Sequence, residues 1–174
     1  METITLLIFL GNSILFPLSF LLIFLKTRHN FKVKAISYYA TINKKSARQL
    51  MLIIFIGNSI QLLYSLYLYF KQFPIFILFG VIAGICGIIV SFLRIDKHYK
   101  IHILLTFISL IAYTSSIFLT SLSLQNNLLI LLGTLQLAIM ILGNIFKIGM
   151  KYLEVSYFII FGIWNICILL LIKI

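Results

Sequence analysis

The residues best suited to chemistry in this sequence are two histidines and two acids. Asp96, His98 and His102 form the pattern Asp-x-His-x-x-x-His, and Glu154 follows much further along the chain. Histidines four residues apart share one face of a helix that covers both of them. Imidazole and carboxylate groups together can bind zinc or transfer protons. These four residues, the Asp-His-Glu group, are therefore the candidate catalytic residues.

Two observations weigh against an enzyme or a metal site. Arg94, Lys97 and Lys100 crowd the same segment, and their positive charges repel a divalent cation. The sequence also contains no hydrolase, zinc-protease, phosphate-binding or dinucleotide-binding motif. We therefore expect the Asp-His-Glu group to form a structural polar cluster with no metal and no cofactor, and enzyme activity is disfavoured.

A second set of polar residues consists of amides that lie inside apolar runs. Asn12, Asn58 and Gln61 are its main members. Their ordinary role in a membrane is hydrogen bonding between helices, worth about 0.6–2 kcal/mol each. Where such amides converge they can instead form a ligand pocket. We predict the bonding role for each amide alone and keep a ligand site open for the three as a group.

The amino-acid composition indicates the class of protein in which these residues lie. The chain has 174 residues, of which 63% are hydrophobic and 10% are charged. Soluble domains are on average about half apolar and about a quarter charged. This difference excludes an ordinary soluble domain, a disordered chain and a coiled coil. It indicates an integral membrane protein.

Six apolar runs are long enough to be membrane spans, since a spanning helix needs about 20 residues. They are residues 4–25, 50–70, 75–93, 101–122, 128–147 and 155–172. Helices satisfy every backbone polar group internally, as lipid requires, and the alternating pattern of a barrel strand is absent. The sequence predicts an all-α bundle of six transmembrane helices, with residues 1–174 as a single domain.

Positive charge is distributed unevenly between the predicted connections. The odd-numbered loops hold twelve of the fourteen Lys and Arg residues, and the opposite side holds two. Because cytoplasmic loops retain positive charge, we expect the odd loops to be cytoplasmic and both termini to lie outside, most simply in the cell membrane. Seven of the twelve lie in the basic loop 26–49, namely Lys26, Arg28, Lys32, Lys34, Lys44, Lys45 and Arg48.

The net charge of +11 raises the question of an acidic partner. The basic residues lie between apolar runs rather than on a polar folded surface, so nucleic acid is not expected. Anionic lipid headgroups at the seven basic residues of loop 26–49 are the more plausible acidic partner, and the favoured interpretation is that these charges simply fix the topology. Gly80, Gly84 and Gly87 form a small-residue face that favours close packing of the third and fourth spans or a homo-oligomer.

Four places in the chain together carry a family resemblance. The segment ISYYA at 36–40 follows the first span, Asp96 precedes His102 at the fourth, and Glu154 and Trp164 lie at the sixth. They resemble the small six-helix membrane proteins of the domain of unknown function nine-nine-eight, which are similar to the DRAM and FGF-receptor-activating-protein group. Tyr38 stands where that family usually has an acid. The resemblance implies a six-helix fold and, by analogy with the related group, lipid handling.

These observations leave three hypotheses for the function. The first is a non-enzymatic membrane protein that binds lipid, a small hydrophobic ligand or a membrane partner. The second is a small transporter or permease subunit. The third is a membrane enzyme built on the Asp-His-Glu group.

Overall fold

The chain forms a helical bundle in a computed structural model that describes the backbone of residues 2–27, 36–145 and 150–172. The helices are α1 (Glu2–Thr27), α2 (Lys44–Phe70), α3 (Phe79–Phe92), α4 (Tyr99–Leu124), α5 (Asn127–Ile145) and α6 (Met150–Ile172). Two short 3₁₀ helices precede α2 and α3, and the described part contains no strand. The all-α prediction is confirmed.

Five of the helices are long and apolar enough to cross a membrane, within the described residues. The apolar part of α5, Asn127–Leu142, is shorter than the others. The outer faces carry large exposed apolar side chains, such as Leu15, Ile85 and Leu131. An apolar surface of this extent is covered by lipid in a membrane protein, so the chain is membrane-embedded.

The predicted basic loop 26–49 is wrong in its extent. α2 begins at Lys44 rather than at residue 50, because the Asn43 side chain accepts a 2.8 Å hydrogen bond from the Ser46 backbone N–H and caps the helix. Residues Ile36–Thr41 form a 3₁₀ helix, which we call the loop helix. Hydropathy alone missed this helix start because the first turn of α2 is polar.

The six helices form a closed ring. Each packs against its neighbours in the sequence, and α1 also packs against α6. Consecutive helices run in opposite directions. As a result α1, α3 and α5 end where α2, α4 and α6 begin, and the loop helix packs there against α1, α2 and α6. We call this the basic end, since Lys26, Lys44, Lys45, Arg48 and Arg94 lie there.

α1 and α6 approach each other closely at Gly162. A Cβ atom on Gly162 would collide with the backbone oxygen of Ser13 and would lie 2.7 Å from Cγ of Pro17. Pro17 has no N–H, so the Ser13 carbonyl lacks its usual partner one turn later. Gly162 therefore allows α6 to cover the part of α1 that proline has altered.

The glycine face of α3 packs against α2 of the same chain. A Cβ on Gly84 would lie 2.8 Å from Leu62 Cβ, one on Gly87 would collide with the Asn58 side chain, and one on Gly80 would collide with Ser65 Oγ. The predicted packing of α3 on α4 is also present, with Ser109 Oγ donating to Ala83 O at 3.0 Å. A second copy of the chain would have to displace α2 to use the glycine face.

We expect Gly162→Ala to destabilise the bundle by about 1–3 kcal/mol, because the new methyl group meets rigid backbone on α1. Gly11→Ala is the matched control, since a Cβ there meets nothing within 4 Å. The measurement is the midpoint of thermal unfolding in detergent for both variants. Equal midpoints for the two variants would show that the α1–α6 contact is not as close as described.

Candidate functional site

Two members of the Asp-His-Glu group lie at the surface. The Asp96 carboxylate accepts hydrogen bonds of 3.0 and 2.7 Å from the Arg94 guanidinium, and both side chains are exposed. The Arg94 hydrogen bond lowers the pKa of the Asp96 carboxyl below its usual value. His98 is exposed and lies one residue before the start of α4, so no helix places it on one face with His102.

The other two members, His102 and Glu154, are buried inside the bundle. Nδ1 of His102 lies 2.7 Å from the backbone oxygen of Leu93. A carbonyl oxygen only accepts, so Nδ1 carries the proton and Nε2 is the acceptor nitrogen. The Glu154 carboxylate accepts a 2.5 Å hydrogen bond from the backbone N–H of Ile36, which fastens the loop helix to α6.

The Asp-His-Glu group therefore does not form a single hydrogen-bonded cluster. Asp96 bonds to Arg94, His102 to Leu93 and Glu154 to Ile36. Among the described residues, no hydrogen bond connects any two of Asp96, His102 and Glu154. No set of three metal-ligating side chains lies together in the described part of the chain. His102 and Glu154 line the same cavity.

That cavity of about 60 Å³ lies among α1, α2, α3, α4 and α6. Its wall contains both charged and neutral polar groups. These are His102, Glu154, Asn58, Thr106, Ser109 and Tyr113. A volume of this size holds a few water molecules and excludes a lipid chain. We call it the inner cavity.

Two further cavities adjoin the inner cavity. The outer cavity, of about 210 Å³, lies at the basic end and contains Arg48, Arg94 and His102 in its wall. A third, of about 70 Å³, lies between α4, α5 and α6 and is lined in part by Glu154 and Tyr157. His102 thus belongs to the walls of both the outer and the inner cavity, and Glu154 to the walls of both the inner and the third.

The three amides predicted as a possible ligand group lie in different places. Nδ2 of Asn12 donates to Gly57 O at 3.2 Å. Asn58 accepts a 3.0 Å hydrogen bond from the Tyr113 hydroxyl. Gln61 exchanges two hydrogen bonds, of 3.1 and 3.4 Å, with the amide of Asn165. Each amide therefore joins two helices, and the three do not converge on one pocket.

The sequence predicted that Asn165, like the other amides in apolar runs, bonds between helices, but it did not identify Gln61 as its partner. Tyr113 was missed, because nothing in its long apolar run distinguishes a buried partner from a lipid-facing residue. The Tyr64 hydroxyl donates to Asn165 O at 3.1 Å and is also completely buried. The one sequence signal for such partners is a polar residue at the same depth in each of two antiparallel neighbouring helices.

A cationic cluster surrounds Tyr39 of the loop helix. The Lys26 ammonium donates to the Tyr39 hydroxyl at 3.3 Å, and that hydroxyl donates to Gln49 Oε1 at 3.0 Å. Burial raises the pKa of the Tyr39 phenol, but the hydrogen bonds from Ser46 and Lys26, with the charges of Lys26 and Lys45, bring it below its usual value. Lys26, Tyr39 and Lys45 form what we call the lysine–tyrosine cluster.

The other basic residues of the predicted headgroup set are distributed as follows. Lys44, Lys45 and Arg48 are exposed in the first turns of α2. Arg28, Lys32 and Lys34 lie outside the described residues.

An open groove of about 410 Å³ runs along the lipid-facing surface between α1 and α2. Its floor is formed by small residues, and a Cβ on Gly11 would meet nothing there. Its walls are almost entirely apolar. They include Ile8, Leu15, Leu52, Ile56 and Ile60. We call it the α1–α2 groove.

Comparison with known protein families, curated proteins and solved structures finds no match for this chain. The resemblance to the six-helix family therefore stays a prediction. Among the residues that carry it, Trp164 is buried and its Nε1 donates to Ser121 Oγ at 2.8 Å. This bond gives Trp164 a role in joining α6 to α4.

We expect Gln61→Leu to destabilise the protein by about 1 kcal/mol or more, because it leaves the buried Asn165 amide without its partner. Replacing both residues by leucine removes the unpaired group, so the double variant should be more stable than the Gln61→Leu protein. Thermal unfolding of the wild type, both single variants and the double variant measures this coupling. Additive losses would contradict the Gln61–Asn165 pair.

Proposed function

We propose that this membrane protein binds an anionic lipid at the junction of α1 and α2. The acyl chain lies in the α1–α2 groove, and the headgroup contacts the lysine–tyrosine cluster. One observation carries the proposal, namely that the apolar groove and the cationic cluster are aligned on the same faces of the same two helices.

The alignment follows from helical spacing. Lys26 follows Leu15 by eleven residues, which is three turns of α1, and Leu15 lines the groove. Lys45 precedes Leu52 by seven residues and Ile56 by eleven, so all three share one face of α2. Both lysines are thus positioned above the basic-end opening of the groove, and both are exposed.

The distance between Lys26 and the groove matches the length of a lipid that lies in one leaflet. Ser19 lines the groove and precedes Lys26 by seven residues, or about 10 Å along α1. One leaflet provides about 15 Å of hydrocarbon below its headgroup layer. A lipid whose headgroup contacts Lys26 therefore reaches the groove with the lower part of its acyl chain.

The positive charge of the lysine–tyrosine cluster favours an anionic lipid. The cluster combines two ammonium groups with the Tyr39 hydroxyl, and none of the described acids lies in it. A basic residue near the membrane surface contributes about 1 kcal/mol to the attraction of anionic lipid. With the basic end on the cytoplasmic side and both termini outside, the site faces the leaflet that carries most anionic lipid.

A small transporter is the second candidate, and the few polar side chains in the otherwise apolar wall of the inner cavity favour it. The lining residues Asn58, Ser109 and His102 could face a passing solute. Uptake by proteoliposomes would support this alternative. The enzyme hypothesis ranks third, because His102 and Glu154 each bond to backbone rather than to one another.

We expect the anionic phospholipid that remains bound after purification to fall by about fivefold or more in the double variant Lys26→Gln/Lys45→Gln. The reason is the loss of two positive charges, each of which contributes about 1 kcal/mol to lipid binding. Native mass spectrometry of protein from vesicles that contain equal amounts of phosphatidylglycerol and phosphatidylcholine measures the bound lipid. Lys97→Gln/Lys100→Gln is the matched control, because it removes two exposed charges at the basic end but away from the groove. An equal loss in both double variants would reject the proposed site.

We expect Gly11→Leu to reduce lipid retention without unfolding the protein, because the new side chain extends into open groove space. Both phospholipids should be lost from the groove, since the change removes room for the acyl chain and no charge. Gly11→Ala is the size control and should retain lipid. Unchanged retention in Gly11→Leu would show that the chain lies elsewhere.

A further inference from the structure

We infer that Glu154 is a proton-binding site inside the bundle and that it exchanges protons with the basic end through His102. This site is separate from the lipid groove, because neither residue lines the groove. Three observations support the inference. They are the series of cavities and, among the described residues, the absence of a cationic partner for the Glu154 carboxylate and of a hydrogen-bond partner for Nε2 of His102.

The cavities supply the route. The outer cavity lies at the basic end, and His102 belongs both to its wall and to the wall of the inner cavity. Glu154 lines the inner cavity on the α6 side. The inner cavity has room for water, which can carry a proton between the two side chains. The outer and inner cavities therefore offer a route from the basic end to Glu154 that passes His102.

The Glu154 carboxylate has no cationic partner among the described residues. Its hydrogen bond comes from the neutral backbone N–H of Ile36. The titratable groups that share its cavities are His102 and Tyr113 on α4 and Tyr157 on α6, and the described residues of α1, α2, α3 and α5 in these walls are not titratable. A lone carboxylate in apolar surroundings is unfavourable, and uptake of a proton removes its charge.

The proton transfer balances at His102. Nδ1 keeps its proton because it donates to Leu93 O. Nε2 accepts the excess proton of a hydronium ion in the outer cavity, which leaves a water molecule there, and the ring becomes an imidazolium. Nε2 then releases a proton to water in the inner cavity, and the Glu154 carboxylate accepts one from that water. The imidazole returns to its starting form, and the reverse sequence releases the proton.

Infrared spectroscopy of the full chain in lipid nanodiscs tests this inference. A pH titration between about pH 5 and 9 should show the C=O stretch of a protonated carboxyl group. Glu154→Gln should abolish that band, and its amide oxygen can still accept the Ile36 N–H, which keeps the loop helix in place. The inference is wrong if the wild-type protein shows no protonated-carboxyl band in this titration, or if Glu154→Gln retains the band.

The rate of proton exchange at Glu154 tests the role of His102 in the proton route. We expect His102→Leu to slow hydrogen–deuterium exchange of the Glu154 carboxyl group by at least about tenfold, since a positioned acid–base group is lost. His98→Leu is the matched control, because it removes an exposed histidine from the same end of the bundle. Equal rates in the two variants would contradict the route through His102.

A sodium titration separates a proton site from an alkali-cation site. The midpoint of the Glu154 band should be the same in sodium and in choline buffers at equal ionic strength. A sodium-dependent shift of the midpoint would contradict a proton site and indicate that an alkali cation competes for the carboxylate. Retention of the wild-type size-exclusion profile by Glu154→Gln and His102→Leu shows that each variant has folded.

Discussion

The structure depends on one constraint, which is that polar groups inside an apolar bundle must find their partners on neighbouring helices. Helices in lipid gain little from apolar contact, so close packing and interhelical hydrogen bonds hold them together. The Gln61–Asn165 pair joins α2 to α6, and the bond from Tyr113 to Asn58 joins α4 to α2. Gly162 brings α6 against the backbone of α1. These contacts close the ring and thereby create the cavities and the groove.

The sequence predicted the fold class and the positions of the helices because both follow from local composition. A long apolar run in a membrane protein favours a helix, and each of the six predicted runs overlaps one of the six helices in the described part of the chain. The start of α2 was missed because its first turn carries Lys44 and Lys45, so that its polarity resembles a loop. A cap such as Asn43 is the signal that identifies such a start.

The candidate sites were less predictable, since they depend on which helices are neighbours. Asp96 and His102 are close in the sequence, yet one is exposed beside Arg94 and the other lines a buried cavity. His102 and Glu154 are far apart in the sequence and share that cavity. No local spacing encodes this pairing. The predicted headgroup role of the basic loop residues stays a prediction, and the position of Lys26 beside Tyr39 emerged only from packing.

We propose that an anionic lipid occupies the α1–α2 groove with its headgroup at the basic end. Photo-crosslinking can locate this lipid, using an anionic phospholipid that carries a photoreactive group in its acyl chain. Mass spectrometry of the crosslinked peptides should locate the label on groove residues such as Leu15 and Ile56. The label should be much weaker on exposed residues of α4 and α5, such as Leu131. An even distribution of label over all lipid-facing helices would contradict the claim.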